Sequence, residues 1–543
     1  VFSSYTEAGN RTIASGKMTL LEWFAQDTWK ANRRLTLNYG LRFSYFTPWR
    51  LYKGQGAAFS FAAYNPAKVP ALYRPALNAS RQRVAQDPRT GAFYPAVYIG
   101  ALVPASGEPF NGMVLSGDPS LPDGFRKRQP LQLAPKFGFA YDVFGDSTTA
   151  IRGGFGVSKQ AIVNSGFYST AMGDNPPVLT QPRIYYGAIA NLTASSGLLF
   201  PAAGVSTWDP DDQTPTLYNW SLGIQRALPF QITLDATYVG NAGRHLNQRH
   251  DVNTLPYGAR FLPQNQDPTT PGRALPDDFF RPIPGYGAIR WAETSGTSNY
   301  NGLQVQIEKR LSHGLQFGLA YTWSKTMSIS NEDSSQNIIS HYVDRKVWNY
   351  GPVAFDQTQV AAINYLYNLP NLGARWRNPL VKAVFDNWQV SGITTFASGI
   401  PGSVALGTTD NFDFTGGGDG VRPNVTGRAQ LAHGARTFDR WFDTSVFARP
   451  ERGSIGTAAP SQFRLPGINN WDLTVMKNVR LGAESRFLRL RGEFYNAWNH
   501  TQYSAVDSAA RFDPQGRQTN ARFGQVTAAR DPRVIQLSAS LHF

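Results

Sequence analysis

The side chains that could do chemistry are few and scattered. Seven histidines and no cysteine leave no thiolate metal site, no cysteine nucleophile and no disulfide. His245 and His250 are the nearest pair, five apart in a stretch without regular period. A zinc site needs further converging ligands, so they read as isolated histidines. Asp410-Asn411-Phe412-Asp413, with Asp419 beyond three glycines, offers oxygens for calcium but lacks the EF-hand spacing, and reads instead as a flexible polar loop. Gly153-Gly154-Phe155-Gly156 sits inside an alternating run rather than before a helix, which suits relief of crowding on a strand and not a phosphate loop. Gly16-Lys17-Met18 lacks the Walker pattern, and no Gly-x-Ser-x-Gly elbow occurs. No catalytic, metal-binding or cofactor-binding residue is assigned, and no cofactor is expected.

Two charged sets remain, Glu308-Lys309-Arg310 and the trio Arg489, Arg491 and Glu493. The trio alternates with Leu488, Leu490 and Phe494, so it belongs to one face of a strand. If that strand is part of a barrel, these three charges face its lumen, where they could meet a substrate. Pairing with charges on neighbouring strands is the alternative.

The elements that would position them follow a period of two. Leu35, Leu37, Tyr39, Leu41, Phe43 and Tyr45 share a face opposite Thr36, Asn38, Gly40, Arg42 and Ser44. Leu315, Phe317, Leu319, Tyr321 and Trp323 do the same, as do Ile535, Leu537, Ala539, Leu541 and Phe543. Such runs pair as 18–29 with 34–46, 132–143 with 148–159, 217–227 with 230–240, 299–311 with 315–325, 355–367 with 387–398, and 470–480 with 485–498, followed by 533–543. Short Gly-, Asn-, Asp- and Pro-containing joints, such as Phe144-Gly145-Asp146, Ser312-His313-Gly314 and Gly482-Ala483-Glu484, link most partners as hairpins.

Between the pairs lie long connections rich in Pro and Gly. Runs of ten or more residues, with short turns at one end and long loops at the other, fit strands that cross an outer membrane. Trp29, Trp323, Trp388, Trp471 and Trp498 fall near strand ends, where an interfacial girdle would lie. Composition agrees: 16% charged and 13% aromatic residues disfavour a disordered chain. The net charge of +15 is spread without long basic runs, which speaks for solvated or lumen-lining charges and against a nucleic-acid partner.

The expected fold is therefore all-β: an antiparallel transmembrane β-barrel with short periplasmic turns and long extracellular loops. Thirteen strands is an odd count for a bacterial single-chain barrel. Together with an initial Val1, this leads us to expect part of a larger barrel.

Ordered motifs along the chain sharpen this. They include Phe24-Ala25-Gln26-Asp27-Thr28-Trp29, Tyr218-Asn219-Trp220-Ser221-Leu222-Gly223, Ser298-Asn299-Tyr300-Asn301-Gly302, Tyr321-Thr322-Trp323-Ser324-Lys325, Asn387-Trp388-Gln389-Val390-Ser391-Gly392, Arg422-Pro423-Asn424 and Asn470-Trp471-Asp472-Leu473. With them the chain resembles the C-terminal barrel portion of TonB-dependent outer-membrane receptors of the Oar-like kind. The resemblance implies a 22-strand barrel filled by an N-terminal plug and driven from the inner membrane by the TonB complex. Residues 1–543 would be its C-terminal part, without the plug or the TonB-binding segment. It also implies that Phe543, with Leu541 on the same face, is the signal read by the barrel-assembly machinery.

The expected function is uptake of a ligand of unidentified class, caught by the extracellular loops of a protein held in outer-membrane lipid. A plug-free pore or structural barrel is the alternative. An enzyme embedded in a barrel is a third class, for which no constellation is found.

Overall fold

Leu234, Ile307, Leu319 and Ile363 stand opposite one another across four adjacent strands, and Tyr238, Leu303 and Trp323 form a parallel row above them. Alternation within each strand thus becomes continuous apolar rows across the sheet, while Asp235, Gln306 and Ala320 form a row on the opposite face. The computed structural model describes residues 3–6, 15–162, 172–186, 197–329, 342–375, 379–418, 420–481 and 486–543.

One sheet dominates. Its path takes thirteen strands in chain order, each antiparallel to the next. They are β1 (Leu20–Lys30), β2 (Leu35–Phe46), β3 (Gln132–Asp142), β4 (Thr149–Lys159), β5 (Thr216–Leu228), β6 (Ile232–Asp251), β7 (Tyr286–Ser312), β8 (Leu315–Ser328), β9 (Gln359–Asn368), β10 (Trp388–Ala397), β11 (Ile468–Arg480), β12 (Phe487–Tyr495) and β13 (Val534–His542). The meander matches the thirteen sequence-predicted strands pair for pair.

Local chemistry closes the turns. Asn32 accepts from the backbone N–H groups of Arg34 and Leu35, and Asp142 accepts from those of Gly145 and Ser147. His313 and Gly314 have φ of 52° and 80°, the left-handed pair that a two-residue hairpin requires. Lys309 Nζ ties this turn by donating to the carbonyls of Ser312 and Leu315, both at 3.1 Å. The turn around Gly482-Ala483-Glu484 lies outside the described residues. The β9–β10 link carries a short helix, Pro379–Phe385.

Glycine acts at crossings. The ring of Phe139 lies over Gly153 on the next strand, where an added Cβ would come within 2.5 Å of it. Gly153 thus makes room for a cross-strand aromatic, as expected from its place in a strand.

Two strands exceed their predicted ends. β6 runs on past residue 240 to Asp251, and β7 starts at Tyr286 rather than 299. Both extensions are rich in small and polar residues, so no apolar alternation marked them. They stay extended because they pair with each other through bulges between Gly243 and Gln248, and because the strand Ala202–Trp208 pairs in parallel with Tyr286–Ala292.

The long connections leave from one end of the sheet, and their described parts are packed. One core joins Leu51, Phe125, Met172 and Trp208, and beside it Phe59, Val205, Tyr286 and Ile289 form another. Farther along, Phe442, Phe447, Phe463, Phe512 and Phe523 gather from the β10–β11 and β12–β13 connections, with Phe442 stacked on Phe463 at 4.1 Å. Among the described residues the sheet ends in two edges, β1 and β13. Every residue of β1 is exposed, as are all but one of β13.

Candidate functional site

Arg489, Arg491 and Glu493 project from the same face of β12. They register with Ser540, Ser538 and Gln536 on one side and with Asn478, Met476 and Thr474 on the other, a mostly polar face. Arg491 Nη2 meets Glu493 Oε1 at 2.6 Å, so the ion pair forms along the strand rather than between strands. Arg489 donates Nε–H to Asn478 Oδ1 at 3.1 Å and lies against the Phe487 ring. Arg491 and Glu493 join Asn364, Asp472 and Thr474 around a hollow of about 440 Å³ on this face. The arrangement can offer hydrogen bonds and a balanced charge pair to a passing solute. It contains no acid–base pair poised for catalysis.

Leu541 stands opposite Leu488 on the apolar face, and Phe543, just past β13, is 95% exposed. Among the described residues little covers that ring, which leaves it open to recognition.

The histidines and aspartates weighed in the sequence are apart. His245 sits at a left-handed φ of 56° beside a bulge in β6, whereas His250 is buried with Nδ1 3.7 Å from Glu293. Asp410 and Asp413 do not form the flexible polar loop expected of them. Asp410 holds Arg449 at 2.8 Å and Asp413 holds Arg260 at 2.7 Å, and the Arg449 guanidinium covers Phe412 and Phe414. Two arginines, distant in sequence, convert that segment into packed structure. Asp419 lies outside the described residues.

Ion pairs join one connection to another across the loop cap. Arg83 reaches Asp267 at 2.7 Å, Arg260 takes Asp277 as well as Asp413, and Arg464 reaches the buried Asp356 at 2.6 Å. The deepest link is Arg126 with Asp212. Both side chains are almost fully buried; Arg126 Nε–H donates to Asp212 Oδ1 at 2.6 Å, Trp208 Nε1–H donates to the other oxygen, and the guanidinium lies 5.2 Å from the Trp208 ring centre. Burial pushes the Asp212 carboxyl up to about 6, against the pull of Arg126 and Trp208. Desolvation therefore rivals attraction in this pair.

At the rim of β10 and β11, beneath the Phe442 core, the cap leaves a cleft of about 640 Å³. Residues from three connections line it, among them Arg436, Trp441, Arg464 and His500. None of these was singled out from sequence, because their convergence depends on loop packing and no spacing announces it.

The profile of a family described as outer membrane beta barrel domain matches residues 1–536. No curated protein matches the chain. Among solved structures, it is similar to the siderophore receptor PiuA from Acinetobacter baumannii, with 8% identity and a TM-score of 0.39 over 97% of this chain and 43% of that one. It is similar to the outer membrane transporter YddB from Escherichia coli, with 9% identity and a TM-score of 0.39 over 97% of this chain and 55% of the other. For the ferripyoverdine receptor of Pseudomonas aeruginosa the identity is 10% and the TM-score 0.37, over 96% and 38%. The chain thus spans about half or less of the length of each. With the family profile covering nearly its whole length, on a meander of strands with short turns at one end and long connections at the other, the chain belongs to the outer-membrane β-barrel domain family and its place is the bacterial outer membrane.

Proposed function

We propose that this chain is the C-terminal barrel portion of an Oar-like, TonB-dependent uptake receptor. Its loop cap captures a ligand, and a plug and TonB-binding segment encoded upstream couple entry to the inner membrane. The observation that carries this reading is the cap itself. The long connections form apolar cores stapled by buried and half-buried ion pairs, which is the construction of a binding face. A passive pore needs no such face over its mouth. The polar face bearing Arg489, Arg491 and Glu493 would line the lumen, and Phe543 with Leu541 would be read by the assembly machinery.

The test is the size of the native polypeptide in outer-membrane fractions, by immunoblot against a peptide from the stretch 262–275. Scaling 59.9 kDa for thirteen strands to 22 gives roughly 100 kDa, and a band at or above that size is expected. A band near 60 kDa would overturn the proposal in favour of a plug-free barrel.

A further inference from the structure

The rim cleft beneath the Phe442 core presents cationic side chains, and its lining includes no Asp or Glu. Arg464 enters it already neutralised by Asp356. Arg436 does not: its Nε and Nη2 both donate to the Leu431 carbonyl, at 3.2 and 3.1 Å, and no described carboxylate lies within ion-pair distance. Its guanidinium packs 5.4 Å from the Trp441 ring centre, and burial lowers its pKa. A half-buried guanidinium held by a carbonyl and a ring face keeps its positive charge without a described counter-charge.

The surroundings suit a flat ligand. Trp441 is fixed by donating Nε1–H to the Arg464 carbonyl at 2.8 Å, and Tyr503 meets it edge-on at 6.0 Å. His500 lines the same cleft with a buried Nε2 that has no hydrogen-bond partner among the described residues, and His433 stands exposed at the mouth. The volume is that of a small-molecule site. One uncompensated guanidinium asks for one negative charge, which fits a carboxylate better than a phosphate dianion.

We propose that this cleft binds a small monoanionic carboxylate carried on a flat apolar or aromatic body, with Arg436 as its charge partner and Trp441 and Tyr503 as its walls. Its biological use rests on the reading of the cap as a capture face, whereas binding itself does not. The test titrates the intact protein, purified from outer membranes in zwitterionic detergent, with naphthoate and, separately, with neutral naphthamide, by calorimetry at neutral pH. Naphthoate is expected to bind about tenfold or more tightly than the amide. Arg436→Gln should erase that preference and Arg436→Lys should keep part of it. Equal binding of acid and amide by the unmodified chain, or an Arg436→Gln variant that retains the preference, would overturn the proposal. Should Arg436→Gln fail to fold, the acid-over-amide ratio of the unmodified chain and its decline with added salt decide the matter. Selective binding of naphthoate together with a native band near 60 kDa would leave the cleft standing and remove the uptake reading.

Discussion

Removing one partner of the Arg126–Asp212 pair should do far more damage than removing both. The two side chains are 8% and 1% exposed, and burial raises the Asp212 carboxyl despite a guanidinium in direct contact. The pair therefore contributes little net stability, since its attraction goes largely into offsetting desolvation. Asp212→Ala strips the counter-charge from a buried cation and leaves Trp208 Nε1 without its acceptor. Breaking a buried pair in this way costs about 3–5 kcal/mol. The joint change Arg126→Met with Asp212→Leu fills the space with apolar atoms and should lie within about 1–2 kcal/mol of the parent. The readout is tryptic cleavage after Lys127 and Arg128, two exposed basic residues next to the pair. Cleavage under native conditions follows the population of the locally opened cap. A loss of 3 kcal/mol raises that population roughly a hundredfold or more. The single variant should be cut faster by that factor and the double variant within about thirtyfold of the parent. A single variant cut at the parental rate, or a double variant as labile as the single, would refute this account of how the connections between β2 and β5 are held together.

Other outcomes follow from the same structure. Phe442→Ala, at a fully buried ring stacked on Phe463, should cost about 3–5 kcal/mol and raise amide hydrogen exchange around Phe447, Phe463 and Phe523 while leaving β2–β9 protected. Hydrogen bonding with Arg449 holds Asp410 below the usual carboxylate range, and hydrogen bonds from Ser445, then Arg440, do so for Asp443. Their stabilisation is complete above the unfolded value of about 3.9 and is lost as pH falls through the lower folded values. Protection against exchange in that part of the cap, taken relative to the intrinsic rate at each pH, should therefore fall between pH 4 and 2 and stay flat from 5 to 8, and Asp410→Asn should shrink the acid response. Phe543→Ala should reduce folded, heat-modifiable barrel in outer-membrane fractions severalfold if the exposed terminal ring is the assembly signal. Because the chain has no cysteine, Gln26→Cys combined with Ser538→Cys reports whether β1 and β13 meet. No intramolecular disulfide is expected, and its efficient formation in the assembled membrane protein would show that the sheet closes on itself.

The strands were legible because each carries its own signal. A strand with lipid on one face and water on the other must alternate, so Leu315 to Trp323 declares itself without knowledge of any neighbour. Where a strand leaves that two-sided environment the signal fades, as in Asn241–Asp251 of β6 and Tyr286–Thr297 of β7, which are held by each other and by Ala202–Trp208. The loop cap was illegible for a further reason. Arg260 finds Asp413 across 153 positions and Arg464 finds Asp356 across 108, and no local pattern encodes such meetings. The charged trio on β12 could be read because it sits on a strand. The cleft around Arg436 could not, since its walls come from segments that share no period.

The direction of the strands bears on what lies beyond the sheet. Neighbours alternate along the path, so β1 and β13, as first and thirteenth, run the same way. If they joined, the seam would be parallel, in a family of folds whose bacterial members pair antiparallel throughout. If they did not join, each edge would present unpaired backbone to lipid. About half of the eleven residues of β1 turn both N–H and C=O outward. Each such group costs several kcal/mol in hydrocarbon, so one bare edge costs on the order of tens of kcal/mol, more than the 5–15 kcal/mol by which a typical protein is stable. Leu21, Trp23 and Trp29, opposite the apolar face of β2, and Leu537 and Leu541 on the other edge are exposed side chains of strands similar in length to the rest of the sheet. Both edges thus have the chemistry of interior strands. On the proposed reading each edge would take an antiparallel neighbour, one strand beside β1 and another beside β13. An odd number of additional strands supplies both at once and restores an even total. Nine more would make the 22 of the proposed receptor.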